Sequence, residues 1–404
     1  MLDTRTRDPR GGPATTRPAG GDATPAGHTA RRGLVARINA ATPPGRDRAV
    51  DALRAFAILG VILGHWLVTV FVPSGDGQLA VTSPLASMPA FAPVSWVLQT
   101  LAVFFLVGGY TAAKGHRSGE PYLPWLRRRM ARLLRPVPVL LLAWIPATAA
   151  LWRAGYEPET LRSLVKLVLS PLWFLAVYGA LTALTPVIMV VWRRLGVRGA
   201  AIPVAATAAI DLARFGLDGP AWLGWATVIT GWLVPFYLGI AWANGQATSR
   251  RTAVALLGGG AVATAGLIMY AGYPASMVGV PGAAISNLNP PTLAAVAFGI
   301  AQAGLALLLR RPLARWMERP RAWAAVALAN LSAMTVFLWH QTAMMTITVG
   351  AALAAGTLPG LHSVPDTPEW LLARLPWLLA FAAALAGFWA LAHRFERGGR
   401  KTRS

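Results

Sequence analysis

Three ionisable side chains stand in one apolar stretch, Arg48 to Val70 (RAVDALRAFAILGVILGHWLVTV). Asp51 and Arg54 are three residues apart, which makes them neighbours on a helix surface. Arg54 and His65 are eleven residues apart, close to three full turns, so they share one stripe about 16 Å apart along the axis. The guanidinium offers a fixed positive charge near one end of the stripe. The imidazole, well inside, offers a group that titrates near neutrality. Ionisable groups in an apolar helix are costly and usually face a bundle interior or a wet cavity. Taken singly, Asp51 and Arg54 also fit a helix entrance and His65 a hydrogen-bonded core group, but all three on one stripe favour a functional surface.

A second candidate is WLRRRMARLLRPVP, residues 125–138, where Arg129 and Arg132 lie at i, i+3 with Arg128 beside them. A guanidinium fork suits phosphate recognition. The same arginines also read as topology signals at a helix end, and residues alone leave both readings open. Pro136 and Pro138 bend or interrupt the chain just after them. In PLWFLAVYGALTALTP, 171–186, Trp173 and Tyr178 fit interface aromatics. In FFLVGGY, 104–110, Gly108 and Gly109 allow close backbone approach, and Gly60 with Gly64 forms a small-xxx-small pair for helix packing. NLSAMTVFLWHQTAM, 330–344, places His340 deep in an apolar run, where a satisfied structural imidazole is the ordinary reading. Asp211 and Arg214 stand at i, i+3 and can neutralise each other. The six His are scattered without ligand spacing and there is no Cys, so no metal motif is present. Phosphate-loop and nucleophile-elbow patterns are absent too, and the GGG at 258–260 falls inside an apolar run.

These residues must be positioned by membrane helices. The chain has 404 residues, 55% hydrophobic and 13% charged, and apolar runs of about 20 residues recur along it. This is an all-α integral membrane protein with about ten transmembrane helices, expected near 49–72, 94–114, 133–152, 171–192, 199–216, 222–244, 252–272, 291–310, 326–354 and 371–394. The ninth is too long for one crossing unless it tilts or extends past the bilayer. The formal charge of +22 sits in short connectors rather than on a polar domain, which argues against nucleic acid as partner. Lys and Arg crowd alternate connectors, while 73–93 and 273–290 have none. By the positive-inside rule both termini are cytoplasmic and the span count is even. Residues 1–45, rich in Pro, Gly, Thr and Arg, read as a disordered cytoplasmic tail; 46–395 form the membrane domain, and 396–404 a short basic cytoplasmic tail. No internal repeat is visible.

The pieces resemble, in order, the membrane-bound acyltransferase 3 family of bacteria. RDRAVDALRAFAILGVILGHW is similar to its first-helix signature and FFLVGGYTAA to its FF-x-x-SG-[FY] stretch. RRRMARLLRP resembles its R-x-x-R-x-x-P-type segment, PLWFLAVYGALTALTP its H-LWFL segment, FYLGIAWA its FxxGI element and FLWHQTAM its Leu-x-His. The resemblance covers residues 46 to 395. Gly108 departs from the usual Ser, and Pro171 from the frequent His. The resemblance implies an O-acyltransferase of the bacterial cytoplasmic membrane that moves an acyl group from cytoplasmic acyl-CoA to a hydroxyl of a carbohydrate, glycolipid or other small acceptor, with no tightly bound cofactor. It implies that Arg129, Arg132 and Arg128 hold CoA phosphates and that Arg54 and Asp51 act with His65. His65 would be the general base or acyl carrier, and Trp173, Tyr110 and His340 would line the cavity. Two other classes stay open: a solute or proton-coupled transporter using the same polar groups, and a non-catalytic protein that binds acyl-CoA or lipid.

Overall fold

The computed structural model describes residues 26–74, 79–116 and 120–397. The chain opens with α1 (Ala26–Ala40) and the first crossing helix, α2 (Arg48–Val68), then a hairpin of β1 (Val70–Pro73) and β2 (Leu79–Thr82). Short α3 (Pro84–Ser87) and α4 (Ala92–Leu98) lead into α5 (Leu101–His116). Next come α6 (Tyr122–Leu134), α7 (Pro136–Arg153), α8 (Pro158–Ala183), α9 (Thr185–Leu195) and α10 (Ala201–Asp211). The second half holds α11 (Thr227–Ala243), α12 (Arg250–Tyr270), α13 (Leu293–Trp316), α14 (Pro320–Leu331), α15 (Ala333–Ala355) and α16 (Pro368–Arg397). Among the described residues, ten stretches are long and apolar enough to cross a membrane, the number expected. Helices dominate because a bilayer offers backbone groups no partner outside the segment itself.

The arginine-bearing connectors meet at one end of the bundle, called here the basic end. Arg48 donates to the Met317 carbonyl at 3.0 Å, joining the start of α2 to the end of α13. Trp192 donates to Gln246 at 3.0 Å, and the Arg310 guanidinium lies over the Trp242 ring. At the opposite end the β1–β2 hairpin and the 273–292 loop close the bundle. There the Met277 amide donates to Ser95 Oγ at 3.0 Å and Trp96 Nε1 to the Ala275 carbonyl at 2.8 Å.

Close helix crossings explain several glycines. A Cβ on Gly109 would run into the backbone of Phe236, and one on Gly239 into the Leu106 carbonyl, so α5 and α11 cross backbone to backbone. A Cβ on Gly60 would lie 2.6 Å from Thr100 Oγ1, whose hydroxyl donates to the Ala57 carbonyl at 2.6 Å. The small residues let α2 reach α5, as expected for such pairs.

Four expectations are corrected. The fourth crossing is Pro158–Ala183, not 171–192, because Glu159, Arg162 and Lys166 lower the hydropathy of turns that are nonetheless part of α8. The chain then bends at Leu184 into α9, whose end carries Arg193 and Arg194. The ninth run, 326–354, breaks at Ser332 into α14 and the crossing helix α15. The second run breaks at Gln99–Thr100, between α4 and α5. Part of the stretch expected as a disordered tail is helical: α1 docks on α14, Asn39 donating to the Pro320 carbonyl at 3.2 Å and Trp323 to Thr42 at 2.7 Å. Ile38 gives α1 an apolar anchor against that surface. The rest of the two tails, 1–25 and 398–404, lies outside the described residues.

Candidate functional site

At the basic end a cavity of about 650 Å³ opens between α2, α5, α6, α8 and α15. The N-terminus of α2 builds one wall. Asp47 caps that helix by accepting from the Val50 amide at 3.3 Å and also accepts from the Tyr110 hydroxyl at 3.1 Å. A capping carboxylate there satisfies a free amide and complements the helix dipole. Asp51, buried one turn later, accepts from Nε and Nη2 of Arg46 at 2.6 and 3.1 Å and from Arg54 at 3.4 Å. Arg129 comes from α6, donates to the Thr111 carbonyl at 2.6 Å and stacks over Trp125. Arg132 lines the same cavity, within electrostatic range of Arg129, as Arg54 is. Four arginines thus face two aspartates, so the cavity is net positive and suits an anion with several phosphate oxygens. Its floor is apolar, with Phe104, Met130, Leu133 and Met334.

At the opposite end a smaller cavity of about 230 Å³ lies over His65. His65 is partly open to it, whereas His340 behind it is fully buried. Their bonding fixes the tautomers. His340 Nδ1 meets the Phe337 carbonyl at 2.5 Å and must donate, because a carbonyl only accepts. In a neutral ring His340 Nε2 is then an acceptor, so His65 Nδ1, 3.0 Å away, carries the hydrogen. The bonding therefore leaves His65 Nε2 as an unprotonated base. Trp66, next on α2, donates to the His340 carbonyl at 3.0 Å, which ties α2 to α15 at the imidazole pair.

The stripe inferred from spacing is real, but its two ends serve separate cavities. Between them run aromatic rings: Phe104 against Phe174 at 4.9 Å, Phe174 against Phe337 at 5.1 Å, and Phe337 against His340 at 5.9 Å between centroids. Phe104 floors the basic cavity, so this ring series separates it from the imidazoles.

Arg54, Arg129, Arg132, Asp51 and Tyr110 line one cavity together. Asp51 is fourteen residues from His65, about 21 Å along α2, so its contacts are with arginines and not with the imidazole. Arg128 is not among the residues that line the cavity and pairs with Glu120. Trp173 lines neither cavity; it is partly exposed and packs against Phe174 and Trp232. His340 lines neither of the two cavities; it is fully buried and bonded to His65. The Gly108 departure has a steric cause, since a Cβ there would lie 2.5 Å from the Tyr178 ring, and Tyr178 walls the basic cavity. Asp211 accepts from Tyr273 at 2.9 Å and from the Leu293 amide at 2.7 Å, with Arg214 at 3.8 Å. It holds helix ends together outside both cavities. Burial, and then the Asp211 carboxylate, push the Tyr273 hydroxyl well above the usual phenol range.

Three residues escaped the sequence reading. Arg46 opens the RDRAVDALRAFAILGVILGHW segment but was given no role there, although it lines the basic cavity. Gln99, a polar residue in an apolar run, lines the cavity over His65. Arg374, on α16, is 1% exposed and donates to the carbonyls of Trp66, Thr69 and Gly360 at 2.9 to 3.0 Å. A charged residue inside an apolar run was the signal available for it.

Residues 47–393 match the family model described as an acyltransferase domain. Comparisons with curated proteins and with solved structures give no match. The match covers most of the chain, the cavity over His65 and the basic cavity apart from residues 43–46, and the ten apolar helices agree with a multi-pass membrane protein. The chain therefore belongs to the acyltransferase 3 family and is a membrane acyltransferase.

Proposed function

We propose that the protein takes an acyl group from acyl-CoA held in the basic cavity and delivers it to a hydroxyl presented to His65. The observation that carries this reading is the double use of α2, which puts Arg54 into a net-positive cavity at one end and an imidazole with a free Nε2 into a separate cavity at the other. Arg54, Arg129 and Arg132 bind the phosphates of the donor, with Arg46 at the mouth. The flexible thioester arm then follows the roughly 16 Å of α2 between Arg54 and His65, past Phe104 and Phe337, whose rings turn aside to admit it. His65 Nε2 accepts the proton of the acceptor hydroxyl as its oxygen attacks the thioester carbonyl. The C–O bond forms, the C–S bond breaks, and the departing sulfur takes the proton from His65 to leave as free CoA. His340 keeps His65 in the tautomer this requires.

The Arg-rich connectors support a cytoplasmic basic end with both termini inside. His65 then opens toward the outer side, and transfer crosses the membrane. The acceptor class is a hydroxyl of a carbohydrate, a glycolipid or another small molecule.

Thermal stability of the purified protein in nanodiscs, titrated with CoA and with acyl-CoAs of increasing length, tests the donor site, because a ligand that prefers the native state raises its stability. At least one acyl-CoA should raise Tm in wild type, and Arg129→Ala/Arg132→Ala should abolish most of the rise. His65→Ala should keep the rise and release no CoA. A well-folded protein that no CoA species stabilises would sink this reading in favour of solute transport.

A further inference from the structure

We propose that a lateral groove between α2, α12 and α13 is a binding site for an anionic phospholipid, with an acyl chain in the groove and the headgroup phosphate at Arg250.

The groove has a volume of about 630 Å³ and, among the described residues, shares no lining residue with the basic cavity or the cavity over His65. Its floor is α13, set back between two walls. α12 is pressed onto that floor, since a Cβ on Gly260 would run into the backbone of Ala301 and one on Gly304 into that of Leu257. α2 supplies the other wall through Leu53, Phe56 and Ala57. The floor carries small side chains, Ala301 and Ala306, where the walls carry Phe56 and Leu257, and a furrow results. It opens sideways: Phe56, Leu305, Leu309 and Trp316 line it and are 39 to 44% exposed. All three helices are long and apolar enough to cross a membrane, so the opening meets lipid tails.

Aromatic pairs mark the two ends. Phe56 stacks on Trp316 at 5.8 Å at the basic end, and Trp96 meets Phe298 at 6.1 Å at the other. Phe298 and Trp316 are eighteen residues apart on α13, about 27 Å along the axis. That is close to the roughly 30 Å of hydrocarbon in a bilayer, and rings at these depths suit the headgroup levels. Apolar surface alone selects no lipid, because tails are as apolar as leucine. The furrow seats a chain, and charge selects the head it belongs to.

The charge lies at one end. Arg250 is exposed and opens α12. Leu257, Ala261 and Thr264, which line the groove, follow it by seven, eleven and fourteen residues, close to two, three and four turns. Arg250 therefore heads the stripe that faces the chain. Residues 250–251 and 310–321 hold seven arginines and one carboxylate, Glu318, whereas 273–290 at the other end hold no charged residue. An anionic headgroup is favoured at the basic end, where an arginine covers apolar surface with its stem and keeps its guanidinium at the interface.

The occupant bears on the donor site because α2 has two working faces. Val50, Asp51 and Arg54 line the basic cavity, and Leu53, Phe56 and Ala57 line the groove. A seated chain supports α2 from behind Arg54.

The full-length protein is placed in nanodiscs of phosphatidylglycerol and phosphatidylcholine with identical chains in equal amounts, and native mass spectra count the lipids it retains on release. Wild type should retain phosphatidylglycerol in preference to phosphatidylcholine. Arg250→Gln should lower that preference about five-fold, the equivalent of about 1 kcal/mol per basic side chain at a membrane surface. Arg251→Gln removes the same charge one residue off the stripe and should change the preference clearly less. Ala261→Trp and Ala265→Trp place a ring in the groove from exposed positions and should reduce retention of both lipids. Val262→Trp, 74% exposed and outside the lining, should leave retention unchanged. Equal retention of the two lipids in wild type, an unchanged preference in Arg250→Gln, an equal loss in Arg251→Gln, or full retention in the two groove-filling variants would overturn the proposal. A dimer that Ala261→Trp takes apart would overturn it too, with a second copy of the chain as the occupant.

Discussion

His65 and His340 form a pair in which one ring is exposed to the cavity and the other sets its tautomer. His340→Leu removes the acceptor for His65 Nδ1–H and frees the ring to turn. Its kcat should fall about 10²-fold with the acyl-CoA Tm rise intact. His340→Gln keeps an acceptor oxygen and should recover part of the loss, a difference that a packing role would not produce. Arg374 is the other residue whose effect comes through α2. It bonds the Trp66 and Thr69 carbonyls at the end of that helix and sits between the Trp370 and Phe381 rings. In Arg374→Leu the three carbonyls lose their donor, which should lower stability by roughly 3 kcal/mol at about 1 kcal/mol or more each. Arg374→Lys should remain impaired, because an ammonium lacks the planar fork that reaches three carbonyls at once. Chemical or thermal unfolding in one nanodisc composition reads both variants.

Elements depend on where backbones nearly touch. α5 meets α11 through Gly109 and Gly239, and the Tyr178 ring of α8 through Gly108. Gly108→Ala forces the Tyr178 ring off its seat and should destabilise by about 1–3 kcal/mol, the usual cost of overpacking. Gly109→Ala should be worse, since the obstacle is Phe236 backbone and cannot turn aside. Gly259→Ala on α12, where nothing lies within 4 Å, should be nearly neutral and serves as control. The Tm order wild type, Gly259→Ala, Gly108→Ala, Gly109→Ala checks this. Because Tyr178 walls the basic cavity, Gly108→Ala should also weaken acyl-CoA stabilisation.

For the whole molecule the question is which end faces the cytoplasm. The chain has no cysteine, so a single introduced thiol is labelled without background. Arg194→Cys and Arg315→Cys lie in the exposed last turns of α9 and α13 at the basic end, and Ser286→Cys lies in the loop at the other. In intact cells an impermeant maleimide should label Ser286→Cys only, and all three after lysis. The reverse pattern would put the donor cavity outside, where no acyl-CoA is supplied, and transfer would lose its direction.

Composition and the spacing of apolar runs by themselves determined the class of this protein and its ten crossings, because a bilayer imposes length and hydropathy on each helix separately. The alignment of Asp51, Arg54 and His65 was equally local, set by 3.6 residues per turn. Crossing boundaries followed sequence only where charge and apolarity agree; in α8, Arg162 and Lys166 are carried inside a helix that hydropathy alone starts later. Tertiary structure decided the rest. Arg46 lines the basic cavity and Arg128 does not, the latter pairing with Glu120 instead. His340 becomes the partner of His65 across 275 residues. Two cavities stand where one stripe suggested a continuous site, because rings from α5, α8 and α15 converge on the space between. Contacts between helices far apart in the chain leave no periodic trace, so no pattern along the sequence reports which side chains will meet.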